Sequence, residues 1–518
     1  MMSPAMDSKK EKVFDGVTSD DTALEQLGYT QELKRNFGLL GMVGFSFSIV
    51  TSWTALSGVL IIGVESGGPP VMIYGWVGVC LFSLSIAYSM AEMCSAYPVA
   101  GGQYSWVAIL APPRWARGFS YVCGWFMLIG ILAMGATNSF VAANFVLGIA
   151  QMNNPDYTIE RWHTVLLSYL IAIVAAVFNI FLPSGLNKIS KFILFWNITA
   201  FVVCFSTILG TNKEKQSASF VFSEFQNQTG FNAPYAAILG LTQAMFGMCC
   251  YDAPAHMTEE IKQARKRAPQ AIVMSVYIGA VTGLAFLISL SFCMGDIEET
   301  AGSATGVPVI EIFRHSTQSV GAASTLGSLI AVIALVCANS LTAEGSRAVY
   351  AFARDHGLPF SSLFSKVSSK KQVPINAILL TAFAQMAFDS IYFGTLTGFN
   401  TVILIATEGF YLSYAMPLLA RLLAFVTGGQ YQLDGPYSMG RYGLPLNAIG
   451  VFFLFCCCII SNFPGVSPVN SDNMNYTSAA IGVVMMISLV TWLTTGRKRF
   501  TGPQVGNVFA ATGGPRTS

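Results

Sequence analysis

Residues 246–269 read "FGMCCYDAPAHMTEEIKQARKRAP", an apolar run that stops at Asp252, Pro254 and His256 and then turns basic. The run begins upstream, and "AILGLTQAMFGMCCYDAPAHM" (237–257) has the length needed to cross about 30 Å of hydrocarbon. Gly247 and the turn Tyr251-Asp252-Ala253-Pro254 break it. A charge at that depth costs about 2.5–3.5 kcal/mol on insertion scales, so Asp252 requires a reason.

The composition sets the surroundings of that segment. Of 518 residues, 53% are hydrophobic and 10% charged, and the mean hydropathy is +0.57. So few polar groups cannot cover a soluble globule of this size, and the chain is predicted to be an integral membrane protein. A net charge of +2 argues against nucleic acid as a partner. The first 36 residues are polar, carry both signs and contain no apolar core of signal-peptide length, so they read as a cytoplasmic tail. The 11 cysteines lie in or beside apolar runs and read as small buried hydrophobes, not as disulfides or metal ligands.

Twelve apolar stretches of spanning length start near residues 38, 71, 117, 164, 191, 234, 270, 321, 374, 400, 443 and 478. With both termini in the cytoplasm, 24 of the 28 Lys and Arg residues fall on the inner side, and only Arg161, Lys213, Lys215 and Arg314 fall outside. That bias fixes the expected orientation. The sequons at Asn227 and Asn475 then lie on the outer side, the second close to the membrane edge. The expected organisation is one transporter domain over 37–496 between cytoplasmic tails at 1–36 and 497–518.

A second interrupted span matches the first. Span 1, "LLGMVGFSFSIVTSWTALSGVLIIG" (39–63), is broken in its apolar pattern by small and hydroxyl residues from Gly41 to Ser57. It lies five spans before the broken span 6. Interrupted spans at the same place in two halves point to an inverted-repeat transporter with its site between the breaks, because unwound backbone at membrane depth must line a cavity or be buried in protein. Gly41 and Gly44 by themselves read instead as close helix packing.

The ordered segments "LGYTQELKR" (27–35), "YPVAGGQYSW" (97–106), "YDAPAHMTEE" (251–260), "SRAVYAFARDHGLP" (346–359), "VPINA" (373–377), "GPYSMGRYG" (435–443) and "RFTGP" (499–503) carry a resemblance to a known family. The chain resembles the amino acid–polyamine–organocation transporters, in the branch of fungal and plant permeases for amino acids, choline and 4-aminobutyrate. The resemblance implies an all-α membrane fold of 12 helices and alternating access. It also implies a five-plus-five inverted repeat (about 37–210 and 233–424) with two added spans (about 443–496). An acidic residue at the position of Asp252 lies at the binding site or its inner gate in such proteins. They commonly have Gly where this chain has Cys250, and often an apolar residue where it has Glu408. Some bacterial relatives carry on span 5 a lysine that stands in for a sodium ion; Asn197 falls there, and an amide cannot carry the proton.

The implied substrate-binding residues are Ser46, Phe47 and Ser48 on span 1 and Phe246, Gly247, Cys250, Tyr251 and Asp252 on span 6. Candidates for coupling and gating are Asp252, His256, Glu408, Asn197, Asn339 and Ser340. Asp252 has a second reading as the cap of the half-helix beginning at Ala253, with His256 four residues on as a partner. Glu344 has Arg347 three residues later and is expected to pair with it. Glu408 has only apolar or aromatic i±3 and i±4 neighbours, so it is either a hydrogen-bonded neutral carboxyl or a charge facing an aqueous cavity. Two acids and no Lys or Arg at that depth favour an ammonium-bearing substrate, with aromatic rings available to a cation.

The expected function is a proton-coupled permease for a small amine or amino acid (choline, 4-aminobutyrate or a basic or neutral amino acid) in the plasma membrane. Lipid and the proton, or another cation, are its further partners, and no cofactor or metal is called for. A nutrient sensor or an exchanger on the same fold is the alternative. An enzyme lacks support, since four scattered histidines and no nucleophile motif give it little chemistry.

Overall fold

The computed structural model describes residues 24–502 apart from positions 26, 297–299, 301, 304, 395, 430 and 472, with the side chains of 396–399 also outside the description. Most of both expected tails, and Pro503 of the last family segment, therefore lie outside the described residues.

The bundle is built from α1 (Leu39–Val50), α2 (Ser52–Gly58), α3 (Gly68–Ala96), α4 (Gln103–Leu110), α5 (Pro113–Asn153), α6 (Arg161–Phe181), α7 (Pro183–Thr211), α8 (Ala233–Gly247), α9 (Ala253–His256), α10 (Ala264–Cys293), α11 (Val320–Arg354), α12 (Ile375–Asp389), α13 (Leu396–Val426), α14 (Gly443–Ile460) and α15 (Thr477–Thr491). Among the described residues, eleven helices are long and apolar enough to cross a membrane. They match the expected spans except the sixth, which is divided into α8, of 15 residues, and α9, of four. Span 1 is interrupted at Thr51 alone and stays in that set, whereas the longer gap between Gly247 and Ala253 removes span 6.

Local chemistry explains where the helices start. Asn232 caps α8 by accepting from the Tyr235 N–H, and Ser319 caps α11 by accepting from the Ala322 N–H. Pro at the first turn of α3, α5, α7 and α8 costs no hydrogen bond there. β1 (Ser66–Gly67) pairs antiparallel with β2 (Gln226–Asn227) and ties the segment after α2 to the loop before α8.

Packing places α10 on α3, α11 and α13 on α5, and α1 between α7 and α10. Small residues set the closest crossings. A Cβ on Gly44 would lie 2.1 Å from the Ser190 carbonyl oxygen, and one on Gly409 would lie 2.7 Å from the Gly130 Cα. The packing reading of Gly41 and Gly44 therefore holds: both face α7 through Asn187 and Ser190. Among the described residues all eleven cysteines are free, and nine are buried.

Candidate transport site

The break in span 1 is at Thr51, between α1 and α2. Ser46, Phe47 and Ser48 therefore lie inside a regular helix, one turn before the break rather than in it. The break in span 6 covers 248–252, and Cys250 sits there at φ +63°. That is left-handed backbone, which a residue with a Cβ adopts at a cost of about 1–2 kcal/mol.

Asp252 is fully buried at the start of α9, yet its side chain makes no cap bond. Its carboxylate is held from three other places. The Tyr414 hydroxyl on α13 donates to Oδ1, and the Gln103 amide at the start of α4 donates to Oδ2. His256 Nε2 lies 3.1 Å from Oδ2. The other imidazole nitrogen, Nδ1, lies 3.1 Å from the Ala100 carbonyl oxygen, which only accepts, so Nδ1 carries a hydrogen. Nε2 then meets a carboxylate oxygen at bonding distance, which requires a proton between them. Whichever group holds that proton, the pair is electrically neutral. Gly102, at φ +56°, lets the 97–102 loop approach this closely, since a Cβ there would lie 2.8 Å from the His256 ring.

Glu344 on α11 completes the cluster, with a carboxyl oxygen, an Asp252 oxygen and a His256 nitrogen all within 4.8 Å of one another. Residues from distant parts of the sequence thus acquire the spacing of ligands around one small cation, which scattered histidines gave no reason to expect. The expected Glu344–Arg347 pair does not form. Arg347 Nε instead donates to Glu260 Oε1 at 2.7 Å, and among the described residues both Glu344 oxygens lack a partner. Spacing within a helix allowed one pair; the turn at 258–260 offers Arg347 a better-placed acid.

Other candidates lie near but apart. The Tyr251 ring lies 5.2 Å from that of Tyr414, tilted by 39°, and among the described residues its hydroxyl has no partner. Phe246 and Gly247 end α8, where Gly247 packs against Leu56 and Trp76. Ser48 donates to Ser340 at 2.9 Å, joining α1 to α11. Asn197 accepts from Trp53 Nε1 at 2.6 Å, and Asn339 accepts from Asn179 at 3.1 Å. Glu408 accepts on both oxygens from Asn462 Nδ2 at 3.0 Å. It lies six residues, or about 9 Å along the helix, from Tyr414 and so outside the Asp252 cluster.

At the end carrying residues 24–38, Tyr29 donates to Asp355 at 2.9 and 3.0 Å, and Tyr104 donates to it at 2.8 Å. Arg354 pairs with Glu259 at 2.9 Å and stacks 4.0 Å from the Tyr29 ring. The backbone of Phe37 bonds to Glu260 and Lys262. Burial pushes the Asp355 carboxyl above the usual carboxylate range, opposed by Arg354 and the tyrosine hydroxyls. At the opposite end a cavity of about 210 Å³ opens between Ile62, Leu239, Thr242, Leu404 and Phe463.

Sequence reasoning missed Gln103, Tyr104 and Tyr414. Gln103 and Tyr104 sit in the segment 97–106, which gave the family resemblance and no site residue, and only a polar pair after two glycines signals more. A tyrosine in an apolar span, as at 414, ordinarily means packing.

The family model for amino acid permeases matches residues 37–487. A Macrophomina phaseolina protein named for amino acid and polyamine transport is 69% identical over 440 residues, which cover 85% of this chain and 97% of the relative. An amino-acid permease of Arabidopsis thaliana is 31% identical over 95% of this chain and 97% of its own length. A choline transporter of Saccharomyces cerevisiae is 32% identical over 90% of this chain and 83% of its own. With a divided helix around a buried acid and a match over nearly the whole bundle, the chain belongs to the amino acid permease family.

Proposed function

We propose that the chain is a secondary transporter that carries a small amine or amino acid by alternating access, with proton coupling through the Asp252–His256 pair. The observation that carries this reading is the buried acid at the break of span 6, held by donors from α4 and α13 and by His256. The divided segment counts as the sixth of twelve spans, with repeats at about 37–210 and 233–424. Spans that such a repeat relates, α3 with α10 and α5 with α11, pack on one another, which supports it.

In this reading the end sealed by Tyr29, Asp355 and Arg354 is cytoplasmic, both termini lie there, and the cavity at the other end is the outer approach from across the plasma membrane. Substrate settles between the breaks at Thr51 and 248–252, against Ser46, Phe47, Phe246, Cys250 and Tyr251. Glu408, bonded to Asn462, is a second place for a proton. The single proton shared by Asp252 and His256 is already at the site, where substrate can displace it or travel with it.

The test is uptake of labelled choline, 4-aminobutyrate and arginine into cells expressing the chain or Asp252→Asn, at acidic and neutral external pH. Loss of uptake by about tenfold or more in the variant is expected, together with loss of the pH dependence. Near-normal uptake by Asp252→Asn would remove Asp252 from the mechanism.

A further inference from the structure

Among the described residues the buried bases His256, Arg347 and Arg421, and the half-buried Arg354, meet acids of their own. His256 faces Asp252, Arg347 faces Glu260, Arg354 faces Glu259 and Arg421 faces Glu92, at 3.1, 2.7, 2.9 and 2.6 Å. Two buried acids without a base have hydrogen-bond donors instead: Asp355 has two tyrosines and Glu408 has Asn462. Glu344 has neither. It is 0% exposed, and among the described residues both carboxyl oxygens lack a partner. An ionised carboxylate there requires a cation or donors, and a neutral acid requires an acceptor. Its neighbours are Asp252, His256 and Cys249, none of which is free to supply a charge. Two further buried polar atoms at the site, the Tyr251 hydroxyl and Gln103 Oε1, are also unpartnered.

We infer that Glu344 is the specificity-determining residue of the transport site and that its carboxylate takes the positive centre of the substrate. This rests on the transport reading above and names the substrate class of the same site. Because the Asp252–His256 pair is neutral, ionised Glu344 leaves one unbalanced negative charge. A small organic cation with one net positive charge balances it. A zwitterion brings its own carboxylate into a site already holding two acids, where it meets repulsion and has no basic side chain to pair with. A divalent metal fits less well, since the Asp252 carboxyl is already engaged by Gln103, Tyr414 and His256.

The experiment compares uptake of labelled choline and labelled 4-aminobutyrate by the full chain, Glu344→Gln and Glu344→Asp, each normalised to its abundance in the membrane. Wild type is expected to favour choline. Glu344→Gln should lose choline uptake by about tenfold or more while keeping or gaining uptake of 4-aminobutyrate, and Glu344→Asp should recover part of the choline uptake. If Glu344→Gln inserts poorly, choline-dependent thermal stabilisation of purified wild type and Glu344→Asp gives the same reading, with 4-aminobutyrate giving none. Choline uptake by Glu344→Gln within about twofold of wild type, or a wild type that prefers 4-aminobutyrate, overturns the assignment. A wild type stabilised by choline that moves neither compound overturns transport and leaves the specificity of Glu344 standing.

Discussion

Cys250 is the residue at which backbone and side chain disagree. At φ +63° it occupies a region that glycine enters freely and a branched side chain scarcely at all. The expectation that relatives carry Gly here thus has a physical reason, and the thiol is accepted because it is small and fully buried beside Cys249. Cys250→Gly is expected to fold with its thermal midpoint nearly unchanged, as relief of the left-handed conformation offsets lost burial. Cys250→Val should cost about 2 kcal/mol or more. Thermal unfolding of the two purified variants checks this, and equal midpoints would show that backbone conformation at 250 carries no strain.

Helices in this bundle are positioned where they touch without side chains. α5 and α13 cross at Gly130 and Gly409, so closely that a Cβ on either would collide with backbone. That crossing sets the height of Tyr414, five residues beyond Gly409, and through it one donor to Asp252. Gly409→Val is expected to push the helices apart, costing about 2–3 kcal/mol in stability and loosening the Tyr414–Asp252 contact. Folded yield on size-exclusion chromatography reads the first effect and uptake the second. A variant with wild-type yield and uptake would mean that the crossing is not needed to place Tyr414.

At the scale of the whole molecule, one end of the bundle carries a buried polar network in which Tyr29 and Tyr104 donate to Asp355. Burial raises the Asp355 carboxyl in the folded chain above its unfolded value. A raised acid contributes stability that is present at low pH and lost as pH climbs through the folded value. The Tyr29–Asp355–Tyr104 contact should therefore loosen from acidic toward neutral pH. Asp355→Asn should flatten that dependence, read as the protease sensitivity of residues 24–38 at a series of pH values. An unchanged pH profile in the variant would assign the dependence elsewhere.

Bilayer residence, the existence of the long helices and the break at 248–252 were legible in the sequence, because apolar length, charge asymmetry and the Asp252-Ala253-Pro254 turn are local signals. The pairing of Asp252 with His256 was legible for the same reason, being one helical turn apart. The partners that lie far away in sequence were not. Glu344 was assigned to Arg347 on spacing, whereas Arg347 turned to Glu260, and nothing along the chain could say so. Gln103 and Tyr414 reach Asp252 from 149 and 162 positions away. Helical periodicity tells which residues share a face, but only the packing of several helices decides which faces meet, and with them which buried charge is left without a partner.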